Sequence, residues 1–251
     1  MGSMMFWGAL SLALGIRTAV QTIAARRLGQ GLFQESGIAL RNGLLLATIY
    51  ALPASIIGFS YSGSFVPFFI EDTVATPLTT DYVSIVFIGL LFSSYSFVFQ
   101  GFYTGIEKTK IHMRVTIISN LLNVYLNAGL IYGSDGIRTF FLENLPSVSF
   151  ISVIWQWVDF PEMGVKGAAI ATLIASVWMT VHYAISLFSK DLDRVFSIFS
   201  TSFDKNMIIR QIKLALPQGL QESVIAFGWG FFYKIVGTIG LIELATTELL
   251  F

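Results

Sequence analysis

Six stretches of this chain are long and apolar enough to cross a lipid bilayer, at about 4–25, 43–69, 82–105, 115–133, 166–188 and 214–236. A helical crossing needs roughly 20 apolar residues. A membrane strand would be about half that length and would alternate in polarity. Lipid offers the backbone no hydrogen bonds, so a spanning chain must satisfy its own amides within helices or a closed barrel. The sequence therefore predicts an all-α, polytopic transmembrane helical bundle. A seventh apolar stretch begins near residue 240.

Composition agrees with a membrane protein. Charged residues make up 12% of the chain and hydrophobic residues 55%, whereas soluble domains carry about 25% charge. Formal net charge is zero and no basic tail is present, which argues against a nucleic-acid partner. There are no cysteines and only two, widely separated histidines, so no metal site is expected. No HExxH or GxSxG motif occurs, and an enzyme is not expected. The N-terminus lacks a basic region followed by a small-residue cleavage site, so no signal peptide is read.

Lys and Arg set the orientation. The segments 26–42, 106–114 and 189–213 hold eleven of them, against Arg138 and Lys166 alone on the opposite side. The first group is therefore cytoplasmic. The first span then runs inward from outside, which implies a further helix upstream. Segment 134–163 is a long outer connection, and its tryptophan-rich part Ser147–Val158 reads as an interfacial element. Segment 189–213 mixes charges with apolar residues and reads as an amphipathic cytoplasmic linker.

Asn120, Asn123 and Asn127 interrupt the fourth span at i, i+3 and i+7. That spacing puts them on one helical face. An amide in hydrocarbon must find partners inside the protein. Three on one face mark a helix that lines a polar interior, as in a transporter. They serve either as interhelical hydrogen-bonding glue or as a cation site.

Several stretches, in order, resemble the multidrug and toxic compound extrusion (MATE) family. Residues 15–31 (GIRTAVQTIAARRLGQG) resemble its second helix, and 105–110 (GIEKTK) the turn after the fourth. The asparagine stretch resembles the fifth helix. Residues 160–172 (FPEMGVKGAAIAT) resemble the start of the sixth. Residues 216–221 (LPQGLQ) and 237–245 (GTIGLIELA) resemble the seventh and the start of the eighth. The resemblance implies twelve helices in two bundles, with this chain covering about helices two to seven and the start of the eighth. Residues 1–188 would then form most of the N-terminal bundle, 189–213 the link, and 214–251 the start of the second. It would need the remaining helices of its full-length chain.

The resemblance also implies site residues. Asn123 and Asn127 match an Asn…Asp pair of the family, and Asn127 cannot take up a proton. Tyr82 and Thr172 fall where relatives place polar residues of the same site. An interfacial tyrosine and a packing threonine are the plainer readings. Arg17 sits about 12 Å deep in its span at about 1.5 Å per residue. An isolated arginine there costs at least about 2.5 kcal/mol, so it should face the bundle interior, with Gln21 one turn away. Gln100, Gln218, Gln221 and Glu222 are further cavity-facing candidates, as helix-end polar residues or as part of an inner mouth.

The expected activity is secondary active antiport. Organic, cationic or amphipathic, drug-like compounds would leave in exchange for Na+ or H+, with no other cofactor. Two bundles would rock about a central cavity in the lipid bilayer of a bacterial inner membrane. A lipid-linked oligosaccharide flippase of the same superfamily is the first rival, and it would need a more cationic cavity. A non-transporting membrane scaffold is the second.

Overall fold

The computed structural model describes residues 2–69, 73–188, 190–199, 203–240 and 246–247, with side chains for all but 2–5, 190 and 191. The described residues are mainly helical, without strands. Helix α1 (Gly2–Gly29) is followed by α2 (Phe33–Phe69), α3 (Ala75–Ile88), α4 (Leu90–Gly105) and α5 (Thr109–Asn144). A 3-10 turn (Pro146–Ser152) leads to the short α6 (Val153–Gln156), then α7 (Gly164–Leu187), α8 (Lys190–Phe196) and α9 (Lys205–Ile239).

Among the described residues, four helices are long and apolar enough to span: Phe6–Gly29 of α1, α2, α5 and α7. The expected span 82–105 is broken. It falls in α3 and α4, which meet at Gly89 with a bend of 49° and make a fifth span if counted together. The expected span 214–236 lies inside α9, which is not among the four. Gln218, Gln221, Glu222 and Lys234 dilute its apolar character. The stretch expected from residue 240 lies largely outside the described residues.

Helix α1 is the hub. Its residues Ile16, Ala19 and Val20 join Leu40 and Ala47 of α2 and Val98, Phe99 and Phe102 of α4 in one buried cluster. Towards the other end, Phe6, Leu10 and Ala13 meet Ala51 of α2 with Val83 and Phe87 of α3. Between membrane helices lipid weakens the hydrophobic drive, and small residues that permit close packing take over. The antiparallel crossing of α1 and α9 shows this. Gly8 faces Ala226, and Gly15 faces the backbone of Ala215 and Gly219. Ser11 Oγ lies 2.6 Å from Ser223 Oγ.

The segment 134–163, expected to hold an interfacial element, packs against α5. Helix α5 is kinked at Gly133, where the backbone leaves helical geometry with a φ of 70° that is open to glycine at little cost. The chain then folds back on α5. Trp155 Nε1 donates to the Tyr125 carbonyl at 2.8 Å, and the two rings stack 5.6 Å apart. Ser134 Oγ lies 2.8 Å from Trp155 O and accepts from Phe160 N at 3.0 Å. Trp157, 84% exposed, and Phe150, 70% exposed, project outward. Backbone groups leaving a helix need partners, and Ser134 supplies several of them at once.

Within the segment 189–213 most of the described residues are helical. It holds α8 and the first turns of α9, whose amides on Asn206 and Met207 are capped by Asp204. Phe196 packs edge-on against Phe33 and Phe102, and Arg41 donates to the carbonyls of Ser197 and Ile198.

Candidate functional site

A cavity of about 400 Å³ opens where α1, α3, α4, α5 and α7 converge. Two of these helices present a polar stripe at helical spacing, and a third adds one hydroxyl. Helix α7 contributes Thr172, Ser176 and Tyr183, α4 contributes Ser93, Ser96 and Gln100, and α5 contributes Thr116. The i, i+3, i+4 spacing keeps each set on one face. Apolar and aromatic walls come from Phe6, Trp7, Leu10, Phe97 and Met179, with Tyr82 from α3. Neither a carboxylate nor a cation lines the cavity.

The hydroxyls tie the helices together around it. Ser93 Oγ donates to Ser176 Oγ at 3.2 Å, and Ser96 and Thr180 share a bond of 2.9 Å. Thr172, which lines the cavity, donates its hydroxyl back to the Ala168 carbonyl at 2.9 Å and keeps its oxygen free to accept. Near the start of α5, His112 bridges two lining residues. Its Nε2 stands 2.7 Å from the Gln100 amide and its Nδ1 2.6 Å from the Tyr183 hydroxyl. Thr116 Oγ1 is 3.2 Å from the same Nδ1. Arg17, half-buried on α1, lies close enough for its charge to act on both His112 and Tyr183.

Of the residues expected from sequence, Tyr82, Thr172 and Gln100 meet in this cavity. The three asparagines do not line it. Asn120 is exposed, and Asn123 and Asn127 are half-buried. Asn127 Nδ2 donates to Asn123 Oδ1 at 2.9 Å, which uses one polar atom of each amide. Gln21 and Arg17 lie on α1 outside the lining. Gln218, Gln221 and Glu222 are on α9, where Gln218 Nε2 donates to Glu222 Oε1 at 3.0 Å. His112 and Tyr183 were not among the expected residues. The signal was present: His112, Thr116, Asn120, Asn123 and Asn127 follow one another at i+4 or i+3 on α5.

The chain resembles known proteins in sequence and shape. The MatE family model matches residues 1–128. Two curated relatives are each named "Probable multidrug resistance protein NorM". That from Photorhabdus laumondii is 30% identical over 210 residues, covering 82% of this chain and 41% of the relative. That from Agrobacterium fabrum is 24% identical over 233 residues, covering 92% and 45%. The chain thus spans less than half the length of these curated relatives. The solved inward-facing conformation of a multidrug resistance MATE family transporter of the MOP superfamily matches with a TM-score of 0.74 at 21% identity, over 96% of this chain and 49% of that one. A MOP superfamily transporter from Pyrococcus furiosus matches with a TM-score of 0.75 at 20% identity, over 97% and 48%. At these identities the structural likeness shows a shared fold.

Proposed function

Because the chain belongs to the MATE family, we propose that it forms part of a secondary active antiporter that exports organic, cationic or amphipathic compounds in exchange for Na+ or H+. Residues 1–188 would belong to the first lobe, 189–213 to the connection, and 214–251 to the start of the second. Alternating access would come from one lobe rocking against the other in a bacterial inner membrane. The observation that carries this reading is the cavity's lining. Aromatic faces at Phe6, Trp7, Tyr82 and Phe97 offer cation–π and stacking contact to a flat organic cation. Hydroxyls and the Gln100 amide supply adaptable polar contacts without fixing one substrate.

The cation-coupling role goes to the Asn123–Asn127 pair, with Asn120 on the same face. Amide oxygens are hard ligands suited to Na+ and cannot themselves carry a proton. A lipid-linked sugar flippase is the weaker reading, because no Lys or Arg lines the cavity to hold a pyrophosphate.

Equilibrium binding of a fluorescent organic cation to the purified intact protein tests the substrate reading. Tyr82→Ala combined with Trp7→Ala should weaken binding about thirtyfold, the loss of two aromatic contacts of about 1 kcal/mol each. Unchanged affinity would exclude this cavity as the substrate site.

A further inference from the structure

A second pocket, of about 380 Å³, lies between α1 and α9 at the cytoplasmic end. Its walls carry four cations: Arg26 and Arg27 from α1, and Arg210 and Lys213 from α9. Arg27 is partly neutralised, its Nε lying 3.0 Å from Glu35 Oε2. Among the described residues, Arg26, Arg210 and Lys213 have no acidic partner. The nearby Asp204 carboxylate accepts from the Asn206 and Met207 amides at the start of α9. The fold therefore gathers positive charge into a concave site and leaves most of it uncompensated. A ligand that brings negative charge relieves that repulsion.

The depth of the pocket indicates where such a ligand comes from. Arg26 lies three residues before the end of α1, and Arg210 and Lys213 lie five and eight residues into α9. At about 1.5 Å per residue this is about 5–12 Å from the helix ends, the level of lipid headgroups rather than of bulk water. Guanidinium forks match the geometry of phosphate oxygens. Leu216 and Leu220, 50% and 53% exposed, continue the face of Lys213 towards the bilayer centre and give an acyl chain an apolar track. Basic pockets between transmembrane helices on the cytoplasmic side hold anionic headgroups in this way.

We propose that Arg26, Arg27, Arg210 and Lys213 bind a phosphate group, supplied by the headgroup of an anionic phospholipid of the cytoplasmic leaflet. This goes beyond the export reading and does not depend on it. The test is native mass spectrometry of the intact protein with phosphatidylglycerol, with phosphatidylcholine, and with inorganic phosphate. Arg210→Gln combined with Lys213→Gln removes two exposed cations, and thermal unfolding checks that the variant is folded. Lys108→Gln with Lys110→Gln is the control for general basic charge on the same side.

The wild type should retain phosphatidylglycerol over phosphatidylcholine. The pocket variant should bind it about tenfold more weakly, and the control variant should bind it unchanged. Equal retention by wild type and pocket variant, or equal loss in both variants, overturns the proposal. Binding of inorganic phosphate that depends on Arg210 and Lys213, without a preference for phosphatidylglycerol, supports the phosphate site and overturns the lipid as its source. No readout here involves transport, so failure of the export reading would leave the result intact.

Discussion

The imidazole Nδ1 of His112 stands 2.6 Å from the Tyr183 hydroxyl, which ties the N-terminal end of α5 to α7 beside the cavity. Gln100 of α4 holds the other ring nitrogen. One side chain thus links three helices, adding α5 to the hydroxyl bonds that already join α4 and α7. Tyr183→Phe keeps the ring stacked on Tyr103 and Phe99 and removes only the hydroxyl. It should cost about 1 kcal/mol of stability, read as a lower melting temperature of the intact protein. His112→Ala should lower it further, because the Gln100 amide also loses its partner. An unchanged melting temperature in both would show that the bridge contributes nothing.

At Gly15 the α1–α9 crossing has room for a hydrogen atom only. A Cβ at Gly15 would meet the Ala215 carbonyl and the Gly219 amide, neither of which can rotate away. Gly15→Leu should destabilise the protein by at least about 1–3 kcal/mol through overpacking. Ser11→Ala removes one hydroxyl from the bond to Ser223 and should cost only about 0.6 kcal/mol. Thermal denaturation in detergent ranks the two, and equal melting temperatures would contradict the close crossing.

The outer hairpin depends on the backbone at Gly133. Its φ of 70° is costly for any residue with a Cβ, and such an atom would lie 3.2 Å from Glu162 N. Gly133→Ala should cost about 1–2 kcal/mol. The loss should appear first in the hairpin, as a change in Trp155 fluorescence when its stacking on Tyr125 loosens. Fluorescence identical to wild type would argue against this pivot.

Much of the fold could be read from the sequence, because burial in lipid demands long apolar helices and little else. The spans 4–25, 43–69, 115–133 and 166–188 each fall within one helix. The break at Gly89 was hidden, since Leu90 and the residues around it are as apolar as an unbroken span. The docking of Trp155 was hidden for a different reason. A tryptophan near a helix end reads as interfacial, and only the turn at Gly133 brings its indole back to the Tyr125 carbonyl. At the site, Tyr82, Thr172 and Gln100 could be picked out one at a time, but not the convergence of their helices. His112 escaped notice because it lies before the apolar part of its helix, although it continues the asparagine stripe.

Asn127 is the test of ion coupling. Asn127→Ala removes the amide that donates to Asn123 and half of the paired oxygen donors. Protein yield should stay near wild type while the dependence of export on the coupling ion disappears. Ion dependence that survives the substitution would reduce the asparagine stripe to interhelical glue.

The central claim is ion-coupled export, and the direct measurement is transport by the intact protein reconstituted in vesicles. A fluorescent organic cation is followed while a Na+ gradient or a pH gradient is imposed. The account predicts movement of the dye only with a gradient, favouring Na+ because the asparagines cannot carry a proton, and its loss in Asn127→Ala. Dye movement indifferent to both gradients, or none with an intact and folded protein, would contradict it.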